Sequence, residues 1–351
     1  MIFASDNWAG ASDKVMTALT AAARSTRPAY GGDDLSRAVE RGFAELFERE
    51  VAVFLVGTGT AANTLGIANY ARPGGVVFCH RDAHINVDEA GASEFFGGTK
   101  LVAVEGRHGK YTAEALAEAV ARFPQGAVHH GRPVVASISE ITEFGTAYRP
   151  EEIAAIAAVA KRNGMALHMD GARFAGAVAG LGVAPADLTW RAGVDVMSFG
   201  ASKTGCLAAE AVIFFNPADS RDFGFARQRA GHGFSKAWFI AAQFDAWLDG
   251  GHWLDLARHA NRMGARLAQA IGASRNARLA AEPSANEVFA ILPRSLDAKL
   301  KAAGAVYHPW GIESLPEDER PGPDEVLVRL VASFQTREDE VDDFAAHLAR
   351  G

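Results

Sequence analysis

Residues 51–63 read VAVFLVGTGTAAN. A valine-rich apolar run of strand length leads into Gly-Thr-Gly, and small residues then open a helical pattern. A strand with no polar face belongs in a sheet covered on both sides. The unit recurs downstream, with VVFC (76–79), KLVAV (100–104), PVVASIS (133–139), MALHMD (165–170), VDVMSF (194–199) and AEAVIFF (209–215) as further runs. Amphipathic helical patterns separate them, such as TAEALAEAVARF (112–123) and EEIAAIAAVAKRNG (151–164), the second closed by Asn163-Gly164. Strand–helix alternation predicts an α/β large domain on a mostly parallel seven-stranded sheet. Past about residue 245 the pattern changes. The helical stretch WLDLARHANRMGARLAQAIG (253–272) precedes strand-like EVFAIL (287–292) and EVLVRLVASF (325–334), and REDEVDDFAAHLAR (337–350) closes the chain. This predicts a small C-terminal α/β domain, with the chain divided at 1–245 and 246–351. The acidic, proline-rich SLPEDERPGPDE (314–325) reads as a loop.

Composition limits the function classes. The 351 residues carry 35 Lys and Arg against 42 Asp and Glu, a formal charge of −7. With 49% hydrophobic residues, there is enough apolar material to offset chain entropy, which excludes dominant disorder. The mild acidity and the lack of a basic run argue against a nucleic-acid partner. Cys79 and Cys206 sit among apolar residues and read as buried free thiols, which favours a reducing compartment. The opening MIFASDNWAG has no basic segment followed by an apolar one, and no stretch approaches the roughly 20 apolar residues of a membrane span. A cytoplasmic protein with no membrane partner is expected.

Three segments carry chemistry. In GTGTAAN (57–63), glycines let a ligand approach the backbone, and the free N–H groups at the helix start attract an anion. The segment also matches Gly-x-Gly-x-x-Ala with Asp82 downstream, so it indicates a phosphate without saying which. In HMDGARF (168–174), a strand delivers Asp170 at its C-terminal end, where ligands of open α/β sheets sit, with Arg173 close behind. In SFGASKTG (198–205), Lys203 lies among small and hydroxyl residues, a setting suited to an amine that forms a Schiff base. A phosphate cradle, an acid at a strand end and such a lysine are the parts that pyridoxal 5′-phosphate (PLP) requires. A nicotinamide site uses only the first, so an NAD-dependent oxidoreductase leaves Lys203, Asp170 and Arg329 unexplained. Two further segments contribute. His80 and His84 are four apart but lack a third ligand, so no metal is expected, and His84 suits stacking on a planar cofactor. Arg329 interrupts the apolar strand VLVRLVAS (326–333) and needs a carboxylate, from substrate or from within the protein.

SDNWAGA (5–11), AYGGDD (29–34), GTGTAAN, AHINVDEAG (83–91), HMDGARFA (168–175), SFGASKTG and VRLVASF (328–334) occur in this order. The set resembles the threonine aldolases, PLP enzymes of fold type I, in the low-specificity L-threonine aldolase and phenylserine aldolase branch. The resemblance covers nearly the whole chain. It implies cleavage of β-hydroxy-α-amino acids such as L-threonine, L-allo-threonine and aryl-serines to glycine and an aldehyde. It gives Lys203 as the Schiff-base lysine, Asp170 as partner of the pyridine nitrogen, and Arg173 near the cofactor's phenolic oxygen and the substrate. Gly59 and Thr60 resemble the phosphate binders and His84 the ring-stacking histidine. Ser5 and Arg329 resemble the clamp on the substrate carboxylate. A second histidine near the hydroxyl falls in VHHGRP, as His129 on one alignment and His130 on the other, and this histidine, His84 or a water held by them is the expected base for the β-hydroxyl proton. Tyr30 and Lys236 resemble residues that reach a neighbouring subunit's site, which implies a homodimer or homotetramer. The family's glycine-rich lysine loop is here SKTGCL, so substrate preference stays open. Another fold-type-I reaction, β-elimination or transamination, is the alternative.

Overall fold

The computed structural model describes residues 1–351. Seven strands form the main sheet: β1 (Ala52–Val56), β2 (Gly75–His80), β3 (Lys100–Val104), β4 (Arg132–Ser139), β5 (Ala166–Gly171), β6 (Val196–Gly200) and β7 (Glu210–Phe214). Their spatial order is β1-β7-β6-β5-β4-β2-β3. β3, β2, β4, β5 and β6 are mutually parallel, whereas β7 runs antiparallel to both β6 and β1. Six strands therefore point the same way, and β7 alone is reversed. The C-terminal ends of β1, β2, β4, β5 and β6 and the start of β7 share one edge of the sheet, where Gly200 and Val56 both register against Glu210.

Strand alternation decides which side each residue serves. On β6, Val196 packs on one face with Val56, Ala62, Leu65, Val212 and Phe214, beneath the helix Gly59–Tyr70. Met197 and Phe199 face the opposite side and join the main core with Phe43, Phe47, Phe174 and Met169. Both faces are dry, which is why these strands read as unbroken apolar runs rather than alternating ones. Phe199 is fully buried among Phe43, Phe47, Phe174, Phe244, Trp247 and Trp253, with ring centroids 5.2–6.4 Å away.

The second layer is a four-stranded sheet of β8 (Arg278–Leu279), β9 (Glu287–Pro293), β10 (His308–Pro309) and β11 (Glu325–Val331), in the order β10-β11-β9-β8 and antiparallel throughout. The helices His252–Ala273 and Glu338–Arg350 pack against it. The chain start joins this layer rather than the main sheet. Phe3 N–H donates to the Val306 carbonyl, Val331 N–H donates to the Phe3 carbonyl, and the Phe3 ring is buried with Met263, Leu330 and Phe344. The N-terminal segment thus crosses from the small sheet to the main one and carries Asp6 into the space between them. Residues 315–324 form a loop with one short 3₁₀ turn, Glu317–Glu319, and a second, Ile312–Ser314, precedes it. Both cysteines are free and buried. No helix is long and apolar enough to cross a membrane.

Because Phe199 is enclosed by six aromatic rings that cannot collapse into its space, Phe199→Ala should destabilise the fold by about 3–5 kcal/mol. The measurement is the shift of the urea unfolding midpoint.

Candidate active site

The alternation that places Val196 under the helix Gly59–Tyr70 also places Ser198, His168 and Asp170 on that side, since His168 registers with Val196 and Asp170 with Ser198. Asn63 projects from the helix to meet them. Its Nδ2 donates to Asp170 Oδ2 (2.7 Å) and to Glu89 Oε1 (2.8 Å), and its Oδ1 accepts from the Ser198 hydroxyl. Ala172 N–H donates to the other Asp170 oxygen (3.0 Å). Ser198 and Ser137 hold His168 between them. Burial lowers the His168 pKa to about 4, so the ring is neutral near pH 7.

His84 opens the short helix His84–Val87 beyond β2. Its Nδ1 lies 2.8 Å from Glu89 Oε1. The hydrogen bond to Glu89, whose side chain is fully buried, holds the imidazole above its ordinary pKa. One carboxylate oxygen thus takes a bond from Asn63 and from His84, which ties His84 to the group that also holds Asp170. His80 lies in β2, and its Nδ1 accepts from Asp82 N–H, so the i, i+4 spacing does not produce a histidine pair.

Beyond β1, Thr58 Oγ1 accepts from Ala61 N–H and caps the helix. Gly59 and Thr60 are its first residues, and their N–H groups lie at its positive end. Beyond β6, a 3₁₀ turn, Ser202–Thr204, carries Lys203. Gly205 ends that turn at φ +104°, where a Cβ would meet Leu256 Cδ1 at 2.5 Å, so the lysine turn needs glycine there.

These segments enclose one cavity of about 310 Å³. Gly59, Thr60, His84, Asp170, Arg173 and Lys203, all singled out from the sequence, line it together. A Cβ on Gly59 would point into the cavity with only Glu210 Oε2, at 4.0 Å, near it. The donor set fits PLP: free N–H groups and hydroxyls at a helix start, an amine, and a buried carboxylate at the far side. A larger groove of about 760 Å³ lies between the helices Phe174–Leu181 and His252–Ala273. Its titratable residues are Arg258, Arg262 and Glu282, with no amine to take an aldehyde.

Arg173 is held from below. Its Nε and Nη2 donate to the two oxygens of Asp6 (2.7 and 2.9 Å), and Nη2 lies 3.3 Å from Glu287 Oε1. Burial alone would raise the Asp6 carboxyl, but the Arg173 charge and hydrogen bonds outweigh it and keep Asp6 below the usual range. Arg329, in β11, approaches the same Glu287 oxygen, with Nη1 at 3.9 Å. Its guanidinium stacks on Trp310, and its buried Nε has no partner. Glu287 itself is fully buried between the two arginines. Ser5 Oγ accepts from Asn7 N–H, and Asn7 rather than Ser5 lines the cavity.

Within one subunit, neither His129 nor His130 lines the cavity with the other expected residues. Both precede β4 and line a surface cleft with Gly74, Gly75, Gly98, Thr99 and Lys100. Those residues mark the N-terminal ends of β2, β3 and β4, the edge of the sheet opposite Asp170 and Lys203. A parallel strand separates its two ends by its full length, so a residue before β4 is kept from the site after β4 of its own subunit. The loop that does arrive from β4 carries Glu143, which sequence reading passed over. Asn63, Glu89, Asp6 and Glu287 also received no role. The first three lay inside quoted motifs, and a polar residue within a small-residue helix start was the available signal for Asn63.

The sequence model of the beta-eliminating lyases matches residues 3–294. A low-specificity L-threonine aldolase from Pseudomonas aeruginosa is 39% identical over 303 residues, which is 86% of this chain and 87% of that one. The chain belongs to the threonine aldolase family. A Leishmania major threonine aldolase superposes with a TM-score of 0.91 at 27% identity, covering 99% of this chain and 98% of that one. A serine palmitoyltransferase from S. paucimobilis, solved with PLP bound, shares the fold at a TM-score of 0.72 and 15% identity, over 100% of this chain and 86% of that one. Threonine aldolases are PLP enzymes, and the cavity of this member has the donors that cofactor needs.

Glu89→Gln removes the charged acceptor from His84 Nδ1. The His84 pKa should fall, read as a move of the titration midpoint of its Cε1–H resonance to lower pH in an NMR pH titration.

Proposed function

We propose that this chain cleaves β-hydroxy-α-amino acids, L-threonine and L-allo-threonine among them and aryl-serines by extension, to glycine and an aldehyde. The convergence of Lys203, Asp170 and the Gly59–Thr60 helix start on one cavity carries this reading. PLP bound there supplies a sink for the electron pair released when the Cα–Cβ bond breaks. Gly59 and Thr60 hold its phosphate, and Lys203 holds its aldehyde. Asp170 keeps a proton on the pyridine nitrogen, and Asn63 and Ala172 N–H fix that carboxylate in place. His84 stacks on the ring. Its Nδ1 is occupied by Glu89, which sets the ring's orientation.

Arg329 and Ser5 take the substrate carboxylate, with Arg173 beside them. Arg329 is suited to this because its buried Nε lacks a partner and Glu287 offers it only a 3.9 Å contact. A positioned carboxylate turns the scissile bond toward the cofactor face, and positioning is the main lever on the rate. A pocket that only surrounds the β-substituent discriminates weakly, since one methyl group is worth about 1–3 kcal/mol.

Tyr30 and Lys236 lie together on the surface, with Tyr30 N–H donating to the Ser235 carbonyl. We read this edge as the face offered to a second subunit, in a homodimer or homotetramer with shared sites, working in the cytoplasm. We divide the chain into domains at 1–245 and 246–351, with the first residues lent to the second.

Lys203→Ala should abolish both the visible cofactor band and the formation of glycine and acetaldehyde from threonine. Retained turnover, or ammonia and a keto acid in place of glycine and aldehyde, overturns the reading. Arg329→Ala should raise KM for threonine by about 10- to 100-fold, as expected when a charge-assisted bidentate contact is lost, with a smaller effect on kcat. Steady-state kinetics measure the split.

A further inference from the structure

The retro-aldol step needs a group that takes the proton of the β-hydroxyl. Of the histidines considered for it, His84 lines the cavity with Nδ1 already bonded to Glu89, and His129 and His130 lie outside the cavity of their own subunit. The loop after β4 brings another group instead. Glu143 lines the same cavity as Lys203, Asp170 and His84. Its Oε1 accepts from His84 N–H (2.8 Å) and from the Ser139 hydroxyl (3.0 Å). These two bonds orient the carboxyl and leave Oε2 buried with no partner. A buried carboxylate oxygen without a donor is costly unless a ligand supplies one.

We propose that Glu143 is the catalytic base that receives the β-hydroxyl proton in cleavage and returns it to the aldehyde oxygen in the reverse direction. The assignment rests on the aldolase reading above. In the step, the hydroxyl O–H bond breaks and its proton passes to Glu143 Oε2. The O–H electron pair becomes the second bond of the aldehyde carbonyl. The Cα–Cβ bond breaks, and its electron pair stays with the glycine fragment. That fragment's α-carbon then takes up a proton, and Glu143 releases its own to solvent.

The electrostatic setting agrees with the task. Burial, then the charge of Asp170 from the end of β5, raises the Glu143 carboxyl to about 7, against the pull of the bonds from His84 and Ser139. The other titratable groups around it are Arg173 after β5, Cys79 in β2 and Tyr148 beyond the same loop. A base must be ionised to act, so cleavage should rise as pH increases through about 7. Glu210, across the cavity, is also raised to about 7, by burial first, so only a variant can assign the titration.

The test uses the PLP-loaded enzyme and two reactions. Exchange of a glycine α-proton with deuterated solvent, followed by NMR, needs the cofactor site but no β-hydroxyl. Cleavage of threonine needs both. Glu143→Gln should lower kcat for cleavage by about 10²- to 10⁴-fold, the range for loss of a general base, and remove the limb near pH 7, while glycine exchange persists. Glu143→Asp, which keeps a carboxyl, should retain a limb and a larger share of the rate. The proposal is overturned if Glu143→Gln cleaves threonine at the wild-type rate, or keeps the limb, or if Glu210→Gln alone removes it. Loss of exchange together with cleavage in Glu143→Gln also overturns it, because the residue would then serve cofactor binding. Failure of the wild-type enzyme to exchange glycine protons would instead sink the aldolase reading itself.

Discussion

A carboxylate in a protein interior costs several kcal/mol in lost hydration unless fixed donors replace the water. Asp170, 6% exposed at the end of β5, has two such donors, the Asn63 side chain and the Ala172 N–H. The site is arranged around that replacement. The helix carrying Asn63 begins at the Gly59–Thr60 turn, so the amide that holds Asp170 and the N–H groups proposed to cradle the phosphate share one rigid element. The same Asn63 amide reaches Glu89, and through it His84. A shift of this helix would disturb both ends of the cofactor and the ring above it.

Acids outnumber bases at this end of the sheet, and position separates their tasks. Asp6 is paired with Arg173 and stays ionised. Asp170 and Glu89 are held by Asn63. Burial outweighs the hydrogen bonds to Glu143 and Glu210 and raises both to about 7, where a carboxyl can both accept and release a proton. The reversed strand β7 is what brings Glu210 here, since its first residue lies at the edge where the other strands end.

The clamp between the two layers depends on Glu287. It stands fully buried between Arg173 and Arg329, and it begins β9 of the small sheet while Arg173 follows β5 of the large one. Asp6 joins them on an N-terminal segment hydrogen-bonded into the small sheet through Phe3. Charge pairing across the layers therefore sets where Arg329, the proposed partner of the substrate carboxylate, stands, and movement of one layer on the other would reset it.

Local chemistry was legible in the chain alone. Apolar runs ending in Gly-Thr-Gly, Asp-Gly-Ala-Arg and Ser-Lys state a strand, a turn and a reactive group within a few residues, and such short-range patterns survive folding. Gly59, Thr60, Asp170, Arg173, Lys203 and His84, which line one cavity, were singled out this way, because each lies at or within a few residues of a strand end fixed by its own sequence. Groups that act through pairing were hidden. Asn63 meets Asp170 across 107 positions, Asp6 meets Arg173 across 167, and the end of the sheet at which a loop emerges depends on strand direction. Hence His129 was named along the chain and Glu143 was not. Only the parallel course of β4 placed one on the far edge and the other in the cavity, since a strand's two ends lie a full strand length apart.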